Sequence, residues 1–119
     1  MSAQIKLPDE CETMTEVRAG VDATDREIVA LLDRRFGYMR AAARIKPERG
    51  HVRDEARKAS VIEAVRSDAA ARGLPDNALS DIWDRLVETS IAYELVEWER
   101  IRGDDSDQEK SRSSNRVPG

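Results

Sequence analysis

The chain has 119 residues, of which 37% are charged and 4% aromatic, with a net charge of −4. This length predicts one domain with a modest core, the composition is typical of an all-helical protein, and the acidic balance argues against a nucleic-acid partner. Cys11 is the only cysteine and His51 the only histidine, which excludes an internal disulfide and argues against a metal site.

The sequence predicts neither a membrane-spanning helix nor a signal peptide. No apolar run approaches about 18 residues, the length that a spanning helix needs. The N-terminus, MSAQIKLPDE, lacks the apolar core of a signal peptide. We therefore expect a cytoplasmic protein without a membrane partner.

The first predicted element is a long helix from about Thr13 to Ile45, after a flexible lead-in over residues 1–12. Thr13 with Glu16 three residues later makes a capping box, and Pro47 ends the helix at its other end. The helix carries a stripe of positions spaced alternately three and four apart, here called the seam: Met14, Val17, Val21, Thr24, Ile28, Leu31, Arg35, Tyr38, Ala42 and Ile45. This a/d pattern predicts a packed helical interface.

Arg35 lies in the seam where an apolar side chain is expected. Burying a guanidinium costs several kcal/mol unless an anion compensates it, so the position predicts a buried acid or an anionic ligand. Lys46 follows eleven residues later, about three turns, and points within about 20° of Arg35. Arg18 is rotated by about 100° from Arg35, so within one straight helix it cannot serve the same pocket.

A second, shorter helix is predicted from its N-cap Asp54 to about Arg72. Gly73 then supplies the left-handed residue that commonly follows a helix. Arg57 lies in the first turn and adds a cation near the helix start.

The third predicted helix follows Asp76 as N-cap and ends near Arg102. Ser90 and Glu94, four residues apart, face inward where Val or Leu is expected. Residues 103–119 are polar and are predicted to form a disordered tail.

The helix lengths favour a dimer. The first helix is about 50 Å long, whereas a globule of this size has a radius of gyration near 13 Å, so one chain cannot cover the seam. We predict that residues 13–102 form an all-α domain of one long and two shorter helices, paired as an intertwined homodimer with antiparallel long helices. The partner's Arg18 then reaches the pocket of Arg35. Together with Lys46 and Arg57, these cations suit a small dicarboxylate.

Three segments resemble the AroQ-class chorismate mutases and the related isochorismate-pyruvate lyases. They are MTEVRAGVDATDREIVALLDRRFGYMRAAARIK, VRDEARK and LVETSIAYE, and the resemblance spans about Leu7 to Ile101. It implies a substrate-binding set with one arginine from the partner chain, matching Arg18 (partner), Arg35, Asp54, Arg57 and Ser90. It implies Lys46 and Glu94 as the catalytic pair. In this chain Lys58 stands where such mutases have a glutamate that holds the substrate hydroxyl, and Glu94 replaces the usual glutamine.

The resemblance implies a chorismate mutase, which rearranges chorismate to prephenate in aromatic amino acid biosynthesis without metal, cofactor or nucleophile. The arginines clamp the two carboxylates of a compact substrate conformer, and Lys46 stabilises negative charge on the ether oxygen as the C–O bond breaks. Glu94 shares this task only when it is protonated. Burial favours its neutral form and nearby cations its charged form, a balance that the sequence leaves open.

Alternatives remain for the function and for each residue. The lead-in Pro8-Asp9-Glu10-Cys11 resembles that of the lyases, which release salicylate and pyruvate from isochorismate, and a non-catalytic helical dimer is a third reading. The simpler roles are a buried ion pair for Arg35, a surface position for Arg18, a helix cap for Lys46 and for Asp54, a solvated charge for Arg57, a backbone hydrogen bond for Ser90, and core packing for Trp83 and Trp98.

Overall fold

A computed structural model of the chain describes the backbone of residues 4–115 and the side chains of residues 4–103. The described residues contain no strand and form three α-helices, α1 (Met14–Ile45), α2 (Glu55–Ala71) and α3 (Asp76–Asn115), with short 3-10 helices at Pro8–Glu10 and Arg49–His51. The predicted all-α class and the order of the helices are confirmed. Within the described residues, no helix combines the length and the apolar character that crossing a membrane requires.

The start of α1 is fixed by the predicted capping box. The Thr13 amide donates to the Glu16 carboxylate at 3.0 Å, and the Glu16 amide donates to the Thr13 hydroxyl at 3.2 Å. The Lys6 ammonium also pairs with Glu16, and mainly this contact lowers the pKa of that carboxyl to about 2. Two backbone amides at the helix start, which have no partner within the helix, thus find one in a nearby side chain.

The described chain divides into two compact units, and the boundary lies inside α1 after Gly37. In the first unit, residues 5–11 run beside the first turns of α1 and leave a cavity of about 440 Å³. Ile5, Leu7, Val17 and Val21 contribute apolar side chains to its lining. The flexibility predicted for residues 1–12 stays a prediction.

The second unit contains the last turns of α1, with α2 and α3. Val52, Val87 and Ile91 form its buried centre. Half-buried side chains pack around them: Val61, Trp83, Leu95 and Trp98. Because α2 packs along α3, the inner face of α3 contributes most of this buried centre, through Val87 and Ile91.

The ends of α2 agree with the sequence signals. The Asp54 carboxylate accepts a hydrogen bond from the Arg57 amide at 3.0 Å, as an N-cap does. Gly73 has a φ of +71°, a left-handed conformation that a Cβ atom disfavours. The turn into α3 therefore depends on this glycine, and α3 starts with Asp76 as its first residue rather than its cap.

The predicted end of α3 near Arg102 is wrong, because the helix continues to Asn115. The segment 103–119, predicted as a disordered tail, is therefore helical up to Asn115, and residues 116–119 lie outside the described residues. Gly103 lowers helix propensity by about 1 kcal/mol but keeps its backbone donor. Only a proline removes that donor, and the next proline is Pro118.

The seam of α1 is largely uncovered in the single chain. Leu31 is 56% exposed, Tyr38 65% and Ile45 73%. The exposed seam side chains also include Met14, Val17, Val21 and Ile28. Arg35, by contrast, is half-buried. The homodimer that the seam predicts stays a prediction.

Candidate active site

Lys46 and Glu94, the two predicted catalytic residues, lie in direct contact. Lys46 follows the last residue of α1, and its ammonium lies 2.7 Å from the Glu94 carboxylate on α3. Glu94 is only 4% exposed. A carboxylate this buried needs a cation or hydrogen bonds, and Lys46 supplies both. The sequence offered an ion pair with a buried acid as the simpler role of Arg35. In the structure, Lys46 forms such a pair with the buried Glu94.

The backbone of Lys46 is held by two side chains that sequence reasoning had not placed in the site. The indole N–H of Trp98 donates to the Lys46 carbonyl at 3.0 Å. The guanidinium of Arg102 donates to the carbonyls of Lys46 and Ala43, at 2.6 and 2.7 Å. It also lies over the Trp98 ring, 4.2 Å from the centroid. The sequence signal was the spacing Glu94, Trp98, Arg102, one residue per turn along one face of α3.

Ser90 shares the buried face of α3 with Glu94. It is 3% exposed, and its hydroxyl donates to the Leu86 carbonyl at 2.7 Å. The predicted inward orientation of this i, i+4 pair is therefore confirmed. The backbone hydrogen bond expected as the simpler role of Ser90 is present.

The remaining predicted substrate-binding residues lie on helix surfaces. Asp54 and Arg57 are exposed at the start of α2, and Asp54 caps that helix. On α1, Arg18 is exposed and Arg35 is half-buried. The contribution of these four residues to one pocket stays a prediction.

An ion cluster joins the start of α2 to α3. The Glu88 carboxylate binds the Arg53 guanidinium, with a shortest distance of 2.6 Å, and the Lys58 ammonium, also at 2.6 Å. Lys58 further contacts Asp84 at 3.1 Å. Arg53, followed by Lys58, lowers the pKa of Glu88 to about 2, while Glu88 and Asp84 raise the pKa of Lys58. The ammonium at position 58 is thus engaged by two carboxylates of the chain itself.

The described side chains offer no group of three histidine, cysteine, aspartate or glutamate residues that could hold a metal ion. The polar groups of the site are cations, carboxylates and a hydroxyl. Such groups hold and polarise an anionic ligand through hydrogen bonds and charge.

Fold and site together define an all-helical protein in which a buried glutamate of one helix pairs with a lysine just after the end of another. Comparison with known proteins makes this class specific: the family model described as chorismate mutase type II matches residues 17–95. The chain belongs to this family, the AroQ class, whose members act on chorismate or isochorismate. It is also similar to an isochorismate pyruvate lyase of Pseudomonas aeruginosa, with 26% identity over 99 residues that cover 83% of this chain and 98% of the relative.

Proposed function

We propose that this protein is a chorismate mutase that rearranges chorismate to prephenate. The observation that carries the proposal is the 2.7 Å contact between the Lys46 ammonium and the buried Glu94 carboxylate. Lys46 donates to the ether oxygen as the C–O bond breaks, where negative charge develops in the transition state. A donor held in position at a water-poor site stabilises such charge more than solvent does.

The substrate carboxylates are bound by arginines. Arg57 at the start of α2 and Arg35 on α1 each offer a planar fork of donors that matches a carboxylate. With the partner's Arg18, the cations outnumber Glu94, so the pocket favours a dianion. Clamping both carboxylates holds the substrate in the compact conformer from which the new C–C bond forms.

The proposed active unit is an intertwined homodimer. Large apolar side chains of the seam are exposed in the single chain, among them Tyr38 and Ile45, and contiguous exposed apolar surface of this kind supports an interface. Two antiparallel long helices then bring the partner's Arg18 to the site.

Glu94 acts in its protonated form. Its carboxylate is paired with Lys46, and this pairing occupies the donor that the ether oxygen needs. Protonation of Glu94 releases the ammonium and adds a second donor from the carboxyl group itself. The proposed activity therefore rises at mildly acidic pH.

A second candidate is isochorismate-pyruvate lyase. It is supported by the similarity to the Pseudomonas aeruginosa lyase, which extends over 98% of that protein. Lys58 also supports it. Lys58 stands where mutases have a glutamate that holds the substrate hydroxyl, and its ammonium is bound to Glu88 and Asp84 instead. An identity of 26% does not by itself separate the two reactions.

The two candidates are separated by giving the purified protein chorismate and isochorismate in parallel. The mutase predicts loss of chorismate absorbance with formation of prephenate and no salicylate fluorescence. Salicylate from isochorismate, without prephenate from chorismate, would establish the lyase instead. Turnover of neither substrate would reject both enzymes and leave the non-catalytic dimer. A cytoplasmic location and a role in aromatic amino acid biosynthesis stay predictions.

A further inference from the structure

One face of α3 contacts both the side-chain ammonium and the backbone carbonyl of Lys46. Glu94 binds the ammonium at 2.7 Å, while Trp98 and Arg102, one and two turns farther along α3, bind the Lys46 carbonyl at 3.0 and 2.6 Å. Residues four apart on a helix lie on the same face, so a single rigid element fixes the backbone and the charged end of this lysine together.

We propose that Trp98 and Arg102 are positioning residues that determine where Lys46 presents its ammonium to the substrate. The inference rests on the proposed function, since it assigns both residues a role through Lys46. Both lie outside residues 17–95, the part of the chain that the family model matches.

The end of α1 needs such an anchor. The last carbonyls of a helix have no partner within the helix, and Pro47 forces the chain out of the helix directly after Lys46. The guanidinium of Arg102 bridges the carbonyl of Ala43, in the last turn of the helix, and that of Lys46, just after it. A cation also suits the negative end of the helix dipole. Without the bridge the last turn is free to fray, and the lysine moves with it.

The chemistry of the anchor is specific to arginine and tryptophan. The planar fork of Arg102 holds its two carbonyls in a fixed geometry, which a lysine ammonium on its flexible stem does not reproduce. The ring of Trp98 lies 4.2 Å from the Arg102 guanidinium carbon and orients that fork by a cation-π contact. Trp98 therefore contributes twice, through its own hydrogen bond and through the placement of Arg102.

The main test is Arg102→Met, which keeps a long side chain and removes both carbonyl bonds. Because Lys46 acts in the transition state, a misplaced ammonium lowers kcat more than it changes KM. We expect kcat to fall about 10- to 100-fold, with KM within about threefold of the unmodified protein. The assay is run at least 15 °C below the Tm of each variant, a margin chosen as roughly sufficient to keep the variants folded.

The matched control is Arg72→Met, at the C-terminal end of α2. Arg72 pairs with Asp68 at 3.0 Å on the exposed surface. This variant should retain kcat. Equal losses of kcat in the two variants would overturn the proposal, because the effect would then follow from any lost arginine contact at a helix end.

A double-mutant cycle separates a role through Lys46 from an independent one. In a Lys46→Gln background, Arg102→Met should reduce kcat by no more than about twofold further, since the group that it positions is already gone. Multiplication of the two effects would contradict the proposal. Trp98→Phe keeps an aromatic ring and removes one hydrogen bond, so a loss of about three- to tenfold is expected; this variant serves if Arg102→Met does not fold.

Hydrogen exchange gives a readout that does not depend on turnover. The Lys46 amide donates to the Ala42 carbonyl at 2.9 Å, and its exchange should accelerate in Arg102→Met but not in Arg72→Met. Unchanged exchange would overturn the anchor. If the unmodified protein converts neither substrate, the proposed function fails, whereas the anchor is still judged by this measurement.

Discussion

The seam of α1 and the inner face of α3 carry the same helical pattern but differ in burial. On α3, Val87 is 7% exposed and Ile91 9%, because α2 packs over them. On α1, Leu31 and Tyr38 are 56% and 65% exposed. Periodicity thus indicates which side chains share a face, but it does not say whether the covering surface belongs to the same chain. The α3 face is covered within the chain, whereas the seam is largely uncovered, which supports the proposed homodimer.

The largest expected effect comes from a charge in the seam. In Ile28→Asp a carboxylate enters an apolar interface without a partner, which is costly, so the dimer should dissociate and activity should fall at least about 100-fold. Val29→Asp is the matched control, because Val29 is adjacent, exposed and outside the seam. Light scattering and turnover are measured at several protein concentrations. Dissociation of both variants, or of neither, would remove the distinction between seam and surface.

On the α3 face a truncation should reduce stability at every concentration. Ile91→Ala leaves a gap in the buried centre of the second unit and should lower the free energy of unfolding by about 2–4 kcal/mol. Ile82→Ala on the same helix, where the side chain is 56% exposed, should change it by less than about 0.5 kcal/mol. Urea unfolding compares them, and similar losses would show that the two positions do not differ in packing.

A smaller effect is expected on the pH dependence of activity. Because the proposal has neutral Glu94 acting beside Lys46, the activity of the unmodified protein should rise toward acidic pH. Glu94→Gln is neutral at every pH and should flatten this profile. Initial rates from pH 5 to 8 give the comparison, and identical profiles would argue against the role of Glu94.

The smallest effect concerns acid stability. The pKa of Glu88 is about 2 instead of its ordinary 4.5, so the unfolded chain takes up this proton first as the pH falls. The stabilisation from Arg53 and Lys58 is therefore present above about pH 4.5 and is lost toward pH 2. Between about pH 4.5 and pH 2, the Tm of Glu88→Gln should fall less than that of the unmodified protein. The difference should be only a few degrees, since exposed pairs contribute little. Glu63→Gln, an exposed control on α2, should keep the full fall.

Local features of the fold were predictable from sequence, and distant ones were not. The capping box of Thr13, the cap by Asp54 and the left-handed Gly73 each depend on residues within a few positions, so their signals are complete in the sequence. The helix end near Arg102 was missed because a glycine alone does not stop a helix.

In the candidate site, too, features set by nearby residues were predictable and contacts between distant residues were not. Ser90 and Glu94 were predicted to face inward from their spacing, and the resemblance to the family paired Glu94 with Lys46. The bonds from Trp98 and Arg102 to the end of α1 join residues more than fifty positions apart in the chain. They supply hydrogen bonds to carbonyls at the end of α1. In the sequence, the only sign that these carbonyls lack partners is the proline after Lys46.

The central claim, that the seam joins two chains around shared sites, is tested most directly by complementation. Arg18→Ala and Arg35→Ala should each be inactive alone. When the two variants are refolded together, the mixed dimer regains one site with Arg35 from one chain and the partner's Arg18 intact, and activity should return to about one quarter of the unmodified level. Activity that stays at the level of the separate variants would contradict a site built from both chains.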